Sequence, residues 1–198
     1  MIKYGVSAVL VLAFLGSGLL AQDALWTEVD LSQAGGQPPL ELTVSRPPDF
    51  WPNTSNPKKE VLRQFDRGDS RSVTYVNIAR FDLDLEMASA LLQGSDGKWA
   101  EPGLDMFWNG LTKTLDGFRS RRSFFYGSWP ACEMELVQTG LEPDNFDRII
   151  SARLIIYGKN LLMLECGELA AGRELINHEE TYKSVCRPFF DSLAEKKT

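Results

Sequence analysis

Four strand-like runs between Phe118 and Cys166, with no helical period between them, restrict what this chain can fold into more than any other feature. The run Phe118–Tyr126 turns at Gly127-Ser128 into Trp129–Thr139, and Arg148–Tyr157 turns at Gly158-Lys159 into Asn160–Cys166. Alternation is clearest in the second run. There Cys132, Met134 and Leu136 alternate with Glu133 and Glu135, which makes one face dry and the other wet. Turns this short leave no room for a crossover, so successive strands pair antiparallel.

The preceding segments extend the same sheet. Leu40–Ser45 reads as a short strand with Leu40, Leu42 and Val44 on one face, ended by Pro47 and Pro48. Glu60–Asp66 and Arg71–Leu85 form a hairpin through Arg67-Gly68-Asp69-Ser70, a Gly-Asp turn signal. Residues 87–92 add a helical turn, and Ser95-Asp96-Gly97-Lys98 reads as a loop. A helix is expected over Gly103–Asp116, where Leu104, Phe107, Trp108, Leu111 and Leu115 share one face and Gly117 stops it. A last helix covers Arg173–Ala194, with Asn177 and Glu180 spaced as a capping box and Pro188 set to kink or restart it. The order predicts an α+β domain, an antiparallel sheet of about six or seven strands covered by helices as an α/β/α layered sandwich.

The N-terminus carries an address. Lys3, the apolar run Val6–Leu15 and the small residues up to Ala21 have the layout of a secretory signal peptide cleaved after Ala21, which places the mature protein in the periplasm or outside the cell with no stable membrane span. Residues 22–39 read as a flexible leader, because Gly35-Gly36-Gln37-Pro38-Pro39 breaks regular structure. A single domain over 40–194 and a tail at 195–198 complete the organisation. A net charge of −6 argues against nucleic acid as a partner. Cys132, Cys166 and Cys186 allow one bridge and a remaining thiol; the spacing does not choose the pair and leaves the oligomeric state open.

Residues able to carry chemistry are few. His178 is the one histidine, no Gly-x-Ser-x-Gly elbow accompanies it, and its place at a helix start predicts a solvent-exposed ring. No catalytic residue is assigned. Asp82, Asp84 and Glu86 fall on one strand face at spacing two, a carboxylate set able to hold a hard divalent cation, although alternation alone also yields such a solvated face. Arg119 and Arg121 are expected to share a face and to pair with Glu133 and Glu135 across the hairpin. Arg67-Gly68-Asp69 is turn chemistry, and Asn53-Thr54-Ser55 is a glycosylation sequon of meaning in a eukaryotic host. Phe50, Trp51 and Trp99 lie in segments read as loops and are the candidate partner contacts, with plugging of the core edge as the rival role.

The stretch Val44-Ser45-Arg46-Pro47-Pro48-Asp49-Phe50-Trp51, the hairpins Phe118–Thr139 and Arg148–Cys166, and the closing Phe189-Phe190-Asp191-Ser192-Leu193 together resemble the PsbP/DcrB-like group over Leu40–Leu193. Leu193 stands where that group usually has Phe. The resemblance implies an antiparallel sheet between helical layers and an accessory role without enzymatic activity. The expected function is that of an exported accessory or adaptor protein of the cell envelope, which binds a protein partner and needs no cofactor. The alternative is a periplasmic protein that binds a small ligand or a divalent cation.

Overall fold

Ten strands, arranged in two sheets, carry the chain in a computed structural model whose described residues are 25–34, 38–55, 58–68, 72–83, 99–141, 146–171 and 178–197. The elements in order are β1 (Thr27–Asp30), β2 (Leu42–Arg46), β3 (Trp51–Pro52), β4 (Val61–Gly68), β5 (Ser72–Asp82), α1 (Glu101–Thr112), β6 (Phe118–Tyr126), β7 (Trp129–Leu141), β8 (Phe146–Tyr157) and β9 (Asn160–Ala171). Then come α2 (His178–Thr181), a π-helical segment (Tyr182–Cys186), α3 (Arg187–Asp191) and β10 (Ala194–Glu195). The main sheet has seven strands in the order β3-β4-β5-β9-β8-β7-β6, and the small sheet has the order β1-β2-β10. All recorded pairings are antiparallel, as the short turns require.

Each face of the main sheet has its own core. On one face Val76, Ile78, Ile155, Leu162 and Leu164 pack with Leu42 and Val44 of the small sheet and with Val185, Phe189 and Phe190 of the C-terminal segment. On the other, Cys132, Met134, Ile150, Ala152 and Leu154 pack against Leu104 and Trp108 of α1. The expected helical face is therefore the buried one. Pro102 starts this helix, where a missing N–H costs nothing, and it ends at Thr112, short of Asp116. Leu115 consequently lies outside the helix, and Gly117 follows at φ +75°. A Cβ on Gly117 would stand 2.1 Å from the Val137 carbonyl oxygen, so only glycine lets this turn lie against β7.

Three expectations are corrected. The segment read as a flexible leader contains β1, with Thr27 opposite Arg46 and Asp30 opposite Thr43, and Leu31 is fully buried. The domain thus includes residues well before Leu40, because β1 takes its pairing from β2. The tail is likewise partly ordered, since β10 pairs with β2 and Lys196 Nζ lies 2.7 Å from Asp30 Oδ2. The last helix is not one regular element: the backbone widens into the π-helical segment immediately before Pro188, whose ring cannot accept the usual α-helical ladder. The signal peptide, the helical turn at 87–92 and the loop Ser95–Lys98 lie outside the described residues.

The disulfide joins Cys166 to Cys186 and so ties β9 to the C-terminal segment. Cys132 lies on the opposite face of the sheet, buried, and burial pushes its thiol up to about 12. It is an inert packing residue at neutral pH. Removing the bridge by the double substitution Cys166→Ala, Cys186→Ala is expected to cost about 3 kcal/mol, the loop-closure value for a closure of this size. Urea unfolding of the two proteins, compared by midpoint, measures it.

Candidate functional site

On the first-named face of the main sheet, a groove of about 560 Å³ opens beside the C-terminal segment. Its floor comes from β6, β7 and β8 through Ser120, Arg122, Glu135 and Ser151, and its wall comes from His178, Tyr182 and Phe190. Period-two alternation puts these side chains together. Arg122 faces Glu133, Glu133 faces Arg153, and Glu135 faces Ser151 in register.

Arg153 anchors the wall to the floor. Its Nε lies 2.9 Å from Glu133 Oε1, and its Nη2 lies 2.9 Å from Asp191 Oδ1 in α3. The guanidinium, 5% exposed, also stacks on Phe124, Tyr126 and Phe190 at 4.9 to 5.4 Å from the ring centroids. Arg122 adds a second cation to Glu133, with Nη2 2.8 Å from Oε2. The single O–H of Tyr126 is then shared between the carbonyls of Asp191 and Leu193, at 3.0 and 2.9 Å.

His178 is the principal residue that sequence reasoning misplaced. It is buried rather than solvent-exposed, and it links three elements. Its Nδ1 lies 2.8 Å from a Glu168 carboxylate oxygen on β9, and its Nε2 lies 2.8 Å from Ser151 Oγ on β8. Thr181 Oγ1 donates to the second Glu168 oxygen at 2.7 Å. The order serine, histidine, carboxylate has the connectivity of a nucleophile, a base and its orienting acid. The backbone around Ser151 does not complete that machinery. Ser151 sits mid-strand, paired to Glu135 on one side and Cys166 on the other, so its amide neighbourhood is spent on ladders and offers no free N–H pair to an oxyanion. No local signal marks this cluster in the sequence, because Ser151, Glu168 and His178 meet only after three elements have packed.

The other sequence candidates are scattered. Phe50 is 2% exposed and belongs to the core, so its role as a partner contact is withdrawn in favour of the core plug. Trp99 packs half-buried against the α1 cluster. Trp51, at 72% exposed, stands free on β3 at one sheet edge. Asp82 is exposed at the end of β5, while Asp84 and Glu86 lie outside the described residues. The arginines divide differently from expectation. The two-residue turn pairs Tyr126 with Trp129, and the register that runs back from it puts Arg122, not Arg121, opposite Glu133 and sends Arg121 to the α1 face, where it pairs with Asp105 at 2.8 Å; a shift between Phe118 and Ser120 affects only Arg119.

A second hollow of about 510 Å³ lies on the α1 face of the sheet, around β4, β5 and β9. The Tyr75 phenol donates to Glu165 at 2.5 Å and accepts from Arg148 Nε at 2.8 Å, and burial raises its pKa. Gly167 makes this possible: a Cβ there would lie 2.3 Å from the Tyr75 oxygen. Beside it, Asn77 Oδ1 is buried without a hydrogen-bond partner.

Comparison with known proteins identifies the architecture. No protein-family model matches the sequence, and no curated protein matches it. Among solved structures, cyanobacterial PsbP from Synechocystis sp. PCC 6803 superposes with a TM-score of 0.50 at 12% identity, over 91% of this chain and 95% of that one. LpqN, involved in cell envelope biogenesis of Mycobacterium tuberculosis, superposes with a TM-score of 0.46 at 12% identity, over 87% and 92%. The Ran-binding protein Mog1p of Saccharomyces cerevisiae gives 0.44 at 11%, over 88% and 97%. The PsbP likeness establishes the fold, and the architecture implied by the sequence resemblance is the one found.

Two outcomes test this description of the groove. Arg153→Ala removes the buried cation shared by Glu133 and Asp191, while Glu133 keeps Arg122 and Asp191 keeps solvent, and is expected to destabilise the protein by about 2–3 kcal/mol, read from the urea midpoint. A fluorophosphonate probe at pH 8 is expected to leave Ser151 unmodified by mass spectrometry. Labelling that disappears in Ser151→Ala would instead mark an acyl-transfer site.

Proposed function

We propose that this protein, built on a PsbP-like fold, is an exported accessory protein of the cell envelope that works by binding a segment of another protein. The observation that carries the reading is the arginine-edged groove between β6, β7, β8 and the C-terminal segment, held open by Arg153 and the His178 cluster. Its walls are fixed by ion pairs, a hydrogen-bonded chain and a disulfide, so a partner meets a preformed surface and loses little to reordering of this chain. The Cys166–Cys186 bridge supports export, since such a tie persists in an oxidising compartment, and it agrees with the signal-peptide layout of residues 1–21. Trp51 offers a separate exposed aromatic for the same role.

A second reading, a carrier of a small polar ligand, is favoured by one observation. Asn77 Oδ1 is unpartnered inside the hollow beside Tyr75, Arg148 and Glu165, a place where a donor group on a ligand would complete the network. Native mass spectrometry of the mature protein, taken gently from its own envelope fraction, separates the two. A stoichiometric heteromer is expected. An added mass of a small molecule, lost in Asn77→Leu, would transfer the function to the second hollow, and a bare monomer at all concentrations would count against both.

A further inference from the structure

We infer that the open edge of β6 accepts an extended, acidic segment of a partner protein as an eighth strand of the main sheet. The inference rests on the binding reading and names the chemistry of the partner. Among the described residues nothing pairs with the outer edge of β6, the last strand in the sheet order. That edge is nine residues long, with no proline, and spans roughly 30 Å of unpaired donors and acceptors. The opposite edge is built differently: β3 has two residues and ends on Pro52, the usual means of blunting a strand.

Charge selects the occupant. Arg119, Arg121 and Arg122 lie together on β6, in a chain whose net charge is −6. Arg121 is held by Asp105, whereas Arg122 remains 71% exposed beside Glu133 and Arg119 makes no ion pair among the described residues. An incoming strand with carboxylates opposite these two guanidiniums gains cross-strand pairs, and its alternate side chains fall over the groove that Arg119, Ser120 and Arg122 line. A second copy fits poorly. An antiparallel β6–β6 pair centred on Arg122 would set that arginine against itself, and like charges directly opposite destabilise a pair.

Arginines on an edge also serve to repel unwanted strands. Two features exceed that purpose. The strand is long for an edge, and Phe118 and Phe125 leave 38% and 45% of their surface exposed near its two ends. A partner matching this pattern carries acidic residues in its middle and apolar ones at its ends.

The test is selection of binders from a phage-displayed random dodecapeptide library on the intact mature protein. Enriched peptides are expected to be extended and acidic, to protect the amides of residues 118–126 from hydrogen exchange, and to lose at least tenfold in affinity on Arg119→Glu combined with Arg122→Glu. The variant's urea midpoint checks that it folds. Enriched peptides that are neutral or basic, or whose binding ignores the charge reversal, would overturn the inference. Protection confined to 178–186, with β6 unprotected, would overturn it too and leave the groove-binding reading standing. No enrichment at all would sink both. Dimerisation of the free protein abolished by the same reversal would give the edge to a second copy.

Discussion

The Arg153 guanidinium is the contact on which the remainder of this structure depends. It projects from the middle of β8, where water is scarce, and a lone buried cation there would be prohibitively costly. Glu133 on the neighbouring strand and Asp191 on α3 neutralise it, and three aromatic rings enclose its faces. One side chain therefore fixes the position of the C-terminal segment over the sheet. Phe189 and Phe190 reach the core from there, Tyr126 secures the carbonyls beyond Asp191, and the chain is delivered to β2 as β10. Arginine suits the position because its planar fork serves two carboxylates at once while its face stacks on aromatics.

The same docking creates the groove. Had the C-terminal segment lain nearer β6, the exposed edge of the sheet would be covered; had it lain nearer β5, His178 would not meet Ser151. The disulfide and the Ser151–His178–Glu168–Thr181 chain hold the segment at two further points. Rigidity of this kind favours recognition, and it also explains a serine, histidine and glutamate in sequence without an oxyanion site. These groups satisfy one another in a place where unpaired polar atoms would be penalised.

Local pattern made much of the main sheet legible. Alternation in Cys132-Glu133-Met134-Glu135-Leu136 assigned faces correctly, and the glycine turns at Gly127 and Gly158 marked hairpins that the structure contains. The apolar stripe Leu104, Phe107, Trp108 and Leu111 identified α1 and its buried side. Failures occurred where a distant partner overruled the local signal. Thr27–Asp30 carries too little apolar character to announce a strand, yet β2 recruits it. Phe50 follows two prolines and reads as loop, yet its ring is core. The faces of Arg121 and Arg122 follow from counting back from the two-residue turn, whereas the irregularity at Arg119 has no signal in Phe118–Tyr126 itself.

By itself, then, the sequence determined the class of fold and the antiparallel order of its longest hairpins. These are properties of neighbours in the chain, where side-chain period and turn residues act directly. Only the tertiary structure decided the rest: which two of three cysteines join, that His178 is buried, that Arg153 meets Asp191 across 38 positions of sequence, and that the β6 edge stays open. Each depends on where separate elements come to lie in space. Their mutual placement is set by burial and pairing summed over the whole domain, and no short window of residues contains that sum.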